Sequence, residues 1–202
     1  MTTAIQTAGS SQLALVRNQY VARRNFLNFL GIRCRILTPD GQPVMFVHLK
    51  AFKLKEDITV YADQAQTQPL LSIKARSVID FSAAYDVVDT TTDEKVGALR
   101  RKGWSSLVRD EWEVLDAADE VVGVLQEDSL LLALVRRVLS GLVPQNYTLT
   151  MGGQKVADVQ GSWNPFVVKH TMDLSPDARG QVDRRLAIAT SVLLMVIEGK
   201  QG

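Results

Sequence analysis

The chain has 202 residues, of which 46% are hydrophobic and 22% charged, and its 23 Lys and Arg against 22 Asp and Glu give a formal net charge of +1. This composition is typical of a folded domain with a full apolar core, and so small a net charge argues against a nucleic acid partner. One cysteine excludes an intramolecular disulfide, and with only two histidines beside it the zinc ligands are too few, so we expect neither a metal nor a cofactor.

The first residues of the chain are small and polar. Residues 1–11 lack the basic and apolar regions of a secretory signal, so we predict a disordered tail, a single domain over residues 12–202 and a cytoplasmic location. Residues 12–30 mix two patterns, so their assignment stays open: residues 12–17 are typical of a strand, whereas residues 23–30 have the spacing of a short helix that ends at Gly31. Positive charge is concentrated in this part of the chain, ahead of the first acidic residue, Asp40. The arginines are Arg17, Arg23, Arg24, Arg33 and Arg35.

Short strands separated by tight turns follow. Residues 38–41 read Thr-Pro-Asp-Gly, which supplies a fixed φ, a capping side chain and a position of positive φ. They therefore predict the turn of a hairpin between strands at 33–37 and 44–49. The β pattern continues in segments 52–55, 58–61 and 70–74.

A hairpin module then recurs. In each copy an aromatic residue begins an alternating strand, a short polar turn follows, and the chain returns on a valine-led strand. The copies begin at Tyr85, Trp112 and Tyr147. Asp89 and Asp116 hold equivalent positions in the first two copies, so we predict that they cap turns rather than act as an acid and base pair. We expect three antiparallel hairpins that present equivalent faces to one core.

Two segments are predicted to be helical. The apolar residues of 129–143 recur at helical spacing with arginines on the other face, which indicates an amphipathic surface helix. Residues 186–197 carry no charge, and only Thr190 and Ser191 are polar, so this helix has no wet face. It reaches about 18 Å, short of the roughly 30 Å of bilayer hydrocarbon, so burial within the protein is favoured over a membrane span.

Many short strands and one fully apolar helix have few packing solutions. A sheet that covers one side of the helix leaves the other side exposed to solvent. A sheet closed into a barrel buries the whole helix and removes exposed strand edges. We therefore predict a mainly β (α+β) fold, in which a closed antiparallel β-barrel surrounds a buried C-terminal helix.

The order of these parts is shared with a known superfamily. The features that carry the match are the turn with Asp40 and Gly41, the segments 52–61, 69–75 and 85–89, the repeat of the last segment, and the closing apolar helix. Together they resemble the tubby C-terminal-like superfamily, and within it the LURP-one-related and phospholipid-scramblase-like proteins. The resemblance covers about residues 12–197. It implies roughly twelve strands and a non-enzymatic role such as phosphoinositide binding, membrane tethering or lipid movement.

The resemblance also implies where a ligand binds. In tubby-like proteins a basic strand ahead of an aromatic-led strand contacts the phosphoinositide headgroup, and here Lys74 and Arg76 precede Tyr85, with both cations on one face. The scramblase features are absent, because the chain has no cysteine cluster for palmitoylation and its aspartates before the last helix are too sparse for a calcium loop. Those aspartates are Asp173, Asp177 and Asp183.

A second basic cluster lies between two of the hairpins. Arg100, Arg101 and Lys102 are followed by Trp104, which is typical of an interfacial or anionic-ligand loop. The alternative is a solvated connector with Trp104 packed in the core. A further candidate surface consists of Arg17, Arg23 and Arg24 with Phe26 and Phe29.

No catalytic signature is present, because the sequence contains no Gly-x-Ser-x-Gly elbow, no P-loop and no dinucleotide fingerprint. His48 and His170 lie within apolar strands, where structural histidines are usual. Cys34 lies between Arg33 and Arg35, and we expect a buried, inert thiol.

We therefore expect a binding module rather than an enzyme, with an anionic phospholipid headgroup or a membrane surface as the partner. The expected ligand-binding residues are Lys74, Arg76, Arg100, Arg101, Lys102 and Trp104. The alternative is an intracellular interaction or scaffold protein whose partner is another protein.

Overall fold

The computed structural model describes residues 15–25, 31–50, 57–76, 84–102, 110–128, 145–162, 164 and 167–198. Within these residues the chain forms twelve β-strands and one α-helix. They are β1 (Gln19–Asn25), β2 (Gly31–Leu37), β3 (Pro43–Lys50), β4 (Asp57–Tyr61), β5 (Pro69–Ala75), β6 (Ala84–Asp89), β7 (Glu94–Arg101), β8 (Glu111–Leu115), β9 (Val121–Glu127), β10 (Asn146–Met151), β11 (Gln154–Gly161), β12 (Val167–Asp173) and α1 (Arg184–Glu198). The predicted tail at 1–11 and the predicted helix at 129–143 lie outside the described residues, as do Phe26, Phe29 and Trp104.

The strands close into an antiparallel barrel. Each strand pairs with its neighbours in the chain, and β12 pairs with β1, from Asp173 opposite Gln19 to Val167 opposite Asn25. This confirms the predicted closed barrel and the number of strands that the resemblance implied. The helical pattern at 23–30 is wrong for residues 23–25, because these residues complete the pairing of β1 with β12. The strand pattern at 12–17 is wrong for residues 15–17, because the first strand begins only at Gln19.

A β-bulge recurs in the five hairpins whose turns the structure describes. In the β6–β7 hairpin, for example, Val87 lies opposite Gly97 and Val88 lies opposite Lys95, which leaves Val96 as the extra residue. Each extra residue is apolar, and each follows the turn closely. They are Val44, Leu70, Val96, Val122 and Val156. The three predicted hairpin modules are therefore confirmed, and the same module extends to β2–β3 and β4–β5.

Helix α1 lies inside the barrel. Every residue from Leu186 to Val196 is buried, with exposure no greater than the 6% of Leu186. Thr190 donates its hydroxyl to the carbonyl of Leu186 and Ser191 donates to the carbonyl of Ala187, at 2.8 and 3.1 Å. The two polar side chains are thus satisfied within the helix, so the helix needs no wet face. The predicted core helix is confirmed.

Aspartates order the chain as it enters the barrel. Asp177 accepts hydrogen bonds from the backbone N–H groups of Gln181 and Val182 at 2.8 and 3.0 Å. Asp183 accepts from the backbone N–H of Arg185 at 2.8 Å, so it is the N-cap of α1. These carboxylates hold backbone groups in place.

Candidate functional site

Two of the cations predicted at the end of β7 lie on the outer face of the barrel and have carboxylate partners. Arg100 lies opposite Glu113 of β8, and its Nε donates to Glu113 Oε2 at 2.7 Å. Lys102 Nζ is 2.6 Å from Glu111 Oε1. This hydrogen bond raises the pKa of Lys102. Both charges are therefore neutralised by the neighbouring strand.

Arg101 does not extend that outer surface. Arg101 alternates with the outward-facing Arg100, and its Nη2 is 2.5 Å from Oδ1 of Asp110, a buried carboxylate. Trp104 lies outside the described residues. Arg101 thus belongs to a largely buried ion pair, whereas the prediction required an exposed cation.

The cations predicted on β5 differ from each other. Arg76 donates to Asp86 Oδ1 at 2.6 Å and also pairs with Asp119, which Lys95 Nζ approaches to 2.8 Å. These hydrogen bonds raise the pKa of Arg76 and lower the pKa of Asp119. Lys74 lies opposite Asp86 but is exposed, and it forms no ion pair within the part of the chain that the structure describes.

The outer face of β5, β6 and β7 brings several predicted residues together. The backbone N–H of Arg76 donates to the carbonyl of Ala84, and Ala84 lies directly opposite Arg100. Arg76 and Arg100 therefore flank one small residue of β6, with Lys74 and Lys102 further along the same face. Apart from Lys74, each of these cations already holds a carboxylate.

A second set of cations lies on the outer face of β12, β1 and β2. Arg23 of β1 lies directly opposite Lys169 of β12 on one side and opposite Arg35 of β2 on the other. All three side chains are exposed, and so is Arg33, two residues before Arg35 in β2. We call Arg23, Arg33, Arg35 and Lys169 the cationic wall.

The cationic wall is not neutralised by its neighbours. Strands β1, β2 and β3 contain no aspartate or glutamate, and no described residue forms an ion pair with a cation of the wall. Phe46 of β3 lies opposite Arg35, and His48 lies opposite Arg33, both half-buried. Residues directly opposite in a sheet have Cβ atoms about 5 Å apart, so the row of three cations spans about 10 Å.

The sequence contains part of the signal for this wall. The arginines before Asp40 predict a basic surface, and the spacing of Arg33 and Arg35 around the buried Cys34 predicts that both face outward. Arg24 is buried at 6% exposure, so it does not share the outer face with Arg23. The contribution of Lys169 depends on the pairing of β12 with β1, which no local pattern reveals.

The residues whose side chains are of types used in catalysis have structural roles in this barrel. Cys34 is buried, and burial raises the pKa of its thiol to about 12, so it is not a nucleophile. His170 is 3% exposed in the barrel wall. Asp89 accepts a hydrogen bond from the Thr91 backbone N–H, and Asp116 accepts one from that of Ala118, each at 2.9 Å. The predicted turn-capping role of both aspartates is confirmed.

A family model described as LURP-one-related matches residues 43–195, which is most of the chain. The chain belongs to the LURP-one-related family. This family is part of the tubby-like superfamily, which confirms the resemblance. No curated protein matches the LURP-one-related chain in sequence.

The LURP-one-related match begins at β3 and so does not include β1 and β2. Three cations of the wall, Arg23, Arg33 and Arg35, therefore precede the matched region, whereas Lys169 lies within it. In the described part of this LURP-one-related chain, no helix has both the length and the apolar content to cross a bilayer.

Proposed function

We propose that this LURP-one-related barrel is a non-enzymatic binding module that attaches to anionic phospholipid surfaces. The observation that supports the proposal is the cationic wall on the outside of the barrel, whose four cations form no ion pair with any residue that the structure describes. The proposed place of action in the cell is the cytoplasmic leaflet, where anionic lipids give a negative surface potential.

The strength of such attachment depends on how many cations face the lipid. Each Lys or Arg near an anionic bilayer contributes about 1 kcal/mol, and the attraction falls off within a Debye length of about 8 Å at physiological ionic strength. Four cations in one wall, none of which forms an ion pair with a described residue, are enough for measurable but reversible attachment. Cations that already hold a carboxylate contribute less, because a phosphate must displace that partner.

The residues predicted from the sequence provide a rival surface for the same function. Lys74, Arg76, Arg100 and Lys102 share the outer face of β5 to β7, and the proposal for a headgroup site there includes Arg101 and Trp104. Binding at this surface requires phosphate to replace Asp86, Glu111 and Glu113 as the acceptors. The carboxylates therefore favour the cationic wall as the first contact.

Co-sedimentation with vesicles tests the proposed function. We expect the purified protein to pellet with phosphatidylcholine vesicles that contain phosphatidylserine and to stay in the supernatant with phosphatidylcholine alone. Binding should weaken steeply as salt is raised, because the interaction is between exposed charges. Binding that does not change with lipid charge or salt would contradict the proposal.

A further inference from the structure

We propose that the barrel meets an anionic bilayer side-on, through the wall formed by β12, β1 and β2, with Arg23, Arg33, Arg35 and Lys169 as the contacting cations. This inference rests on the proposed function and adds to it the surface and the orientation. The surface differs from the described residues that were predicted from the sequence, which lie on β5 and β7 or directly after these strands.

The register of the closing strands concentrates the charge. Lys169, Arg23 and Arg35 come from three neighbouring strands and lie directly opposite one another, so their side chains leave the sheet together. Like charges in directly opposite positions destabilise a sheet. The core does not require cations at these positions. Ala22 and Cys34 point inward from the same strands, and they would do so with any residues on the outer face. An anionic surface would offset the repulsion.

Elsewhere in the described barrel most outward cations have a carboxylate partner, and Lys74, which lies opposite Asp57 and Asp86 without an ion pair, is an exception. Arg100 contacts Glu113, and Lys102 contacts Glu111, across β7 and β8. Lys155 of β11 contacts Asp158 at 2.7 Å in the same way. Among the described residues, the cationic wall thus departs from a pattern that most other outward cations of the barrel follow.

The cationic wall and the wall formed by β7 and β8 face in opposite directions. In the ring of twelve strands, β1 and β2 are separated from β7 and β8 by four strands on either side, so the two pairs are diametrically opposed. The cationic wall has no acidic residue on β1 or β2, whereas β8 alone presents Glu111 and Glu113. The barrel therefore has an electrostatic asymmetry across its diameter, and a negative surface will orient it with β1 and β2 toward the lipid.

The neighbours of the cations favour a bilayer over a free anion. Phe46 lies beside Arg35, and Tyr61 of β4 lies opposite Phe46 on the same outer face, both half-buried. Aromatic rings next to basic side chains suit the headgroup region, where one end of the ring is apolar and the other is wet. A side-on approach also leaves α1 inside the barrel, so attachment needs no opening of the fold.

Matched double variants test the surface. Arg23→Gln with Arg35→Gln removes two charges from the cationic wall, and Arg100→Gln with Lys102→Gln removes two from the opposite wall, so both proteins have the same net charge. We expect vesicle affinity to fall about fivefold per cation in the first variant, or roughly 25-fold in all, and to change less than about twofold in the second. Far-ultraviolet circular dichroism and urea unfolding establish that both variants are folded.

The outcomes separate this inference from the proposed function. If the wild type binds phosphatidylserine vesicles and the two variants weaken equally, or the opposite-wall variant weakens more, the side-on orientation is wrong and the proposed function stands. If the wild type ignores phosphatidylserine vesicles, both are wrong.

A second measurement reports orientation directly. Thr171→Cys places a thiol on β12 next to the cationic wall, and Gln126→Cys places one on β9. Cys34 is buried and does not compete for the label. An environment-sensitive dye should shift to the blue on vesicle binding at position 171 and not at position 126. The reverse result would contradict the side-on arrangement.

Discussion

Arg185, in the first turn of the central helix, donates from Nη1 to Oδ2 of Asp89 at the end of β6, over 3.0 Å. The other oxygen of Asp89 accepts hydrogen bonds from the backbone N–H and the hydroxyl of Thr91, at 2.9 and 2.6 Å. One carboxylate therefore closes a hairpin turn and anchors the helix to the barrel wall. The negative charge of Asp89 also offsets the unfavourable position of Arg185 at the positive end of the helix dipole.

We expect Arg185→Met to lower the free energy of unfolding by about 1–2 kcal/mol, because it leaves a largely buried carboxylate with one partner fewer. Urea unfolding measures the change. Lys155→Met is the matched control, since Lys155 forms an exposed pair with Asp158 and its loss should lower the free energy of unfolding much less than the loss of Arg185 does. Equal losses in the two variants would contradict an anchoring role for Arg185.

The carboxylate of Asp177 should make stability depend on acid pH. Burial alone raises its pKa, but hydrogen bonds from the N–H groups of Val182 and Gln181 and from Arg184 hold the pKa below its ordinary value. A carboxyl with a lower pKa in the folded state stabilises the protein fully above its unfolded pKa of about 3.9, and this contribution is lost as pH falls through the folded pKa.

We therefore expect Asp177→Asn to cost about 1–2 kcal/mol at neutral pH and progressively less as the pH falls below about 4. Unfolding by urea at a series of pH values measures both effects. A constant difference between Asp177→Asn and the wild type across the acid range would show that the carboxylate charge is irrelevant.

Strands β7 and β8 approach each other closely at Gly97. A Cβ at this residue would lie 2.3 Å from the carbonyl oxygen of Leu115 on β8, which is backbone and cannot rotate away. We expect Gly97→Ala to destabilise the protein by about 3 kcal/mol or more. Gly153→Ala is the control, because Gly153 also has positive φ but open space around its Cβ position, so it should cost only about 1 kcal/mol. Thermal unfolding of both variants makes the comparison.

Much of the fold could be predicted from the sequence because burial dictates it. A run of residues with only Thr190 and Ser191 polar must be enclosed, and the recurring modules that begin at Tyr85 and Trp112 supply the strands to enclose it. The recurring bulges escaped prediction because the extra residue, such as Val96, is as apolar as its neighbours. A bulge is visible only in the pairing.

The candidate site was harder to predict because charge depends on partners from other strands. Arg100 and Lys102 read as a basic cluster along the chain, and only the register with Glu113 and Glu111 shows that they are neutralised. Arg23 shows the reverse, since its partners across the sheet are cations. Contacts between strands decide which cations are unpaired, and the local spacing of residues in the sequence does not reveal these contacts.

The centre of the apolar helix provides a severe test of the fold. Leu193 is 1% exposed. Leu193→Asp should abolish folding, because a charge in the core cannot find water or a counter-ion. Leu193→Met, which conserves volume, should cost less than about 1.5 kcal/mol and fold normally. A folded Leu193→Asp protein that merely failed to pellet with membranes would show that the helix serves as an anchor.

The cationic wall should affect the free energy of unfolding as well as binding. Because Arg23 lies directly between Lys169 and Arg35, removal of like charges relieves repulsion, and we expect Arg23→Gln with Arg35→Gln to leave stability unchanged or to raise it by up to about 1 kcal/mol. Urea unfolding at low ionic strength measures the difference, which should shrink in about 1 M salt, where the Debye length is about 3 Å. Arg100→Gln with Lys102→Gln should instead lose stability, because it removes the cations that contact Glu113 and Glu111. A clear loss in the first pair would mean that the wall arginines stabilise the barrel, and the repulsion inferred from their register would then be wrong.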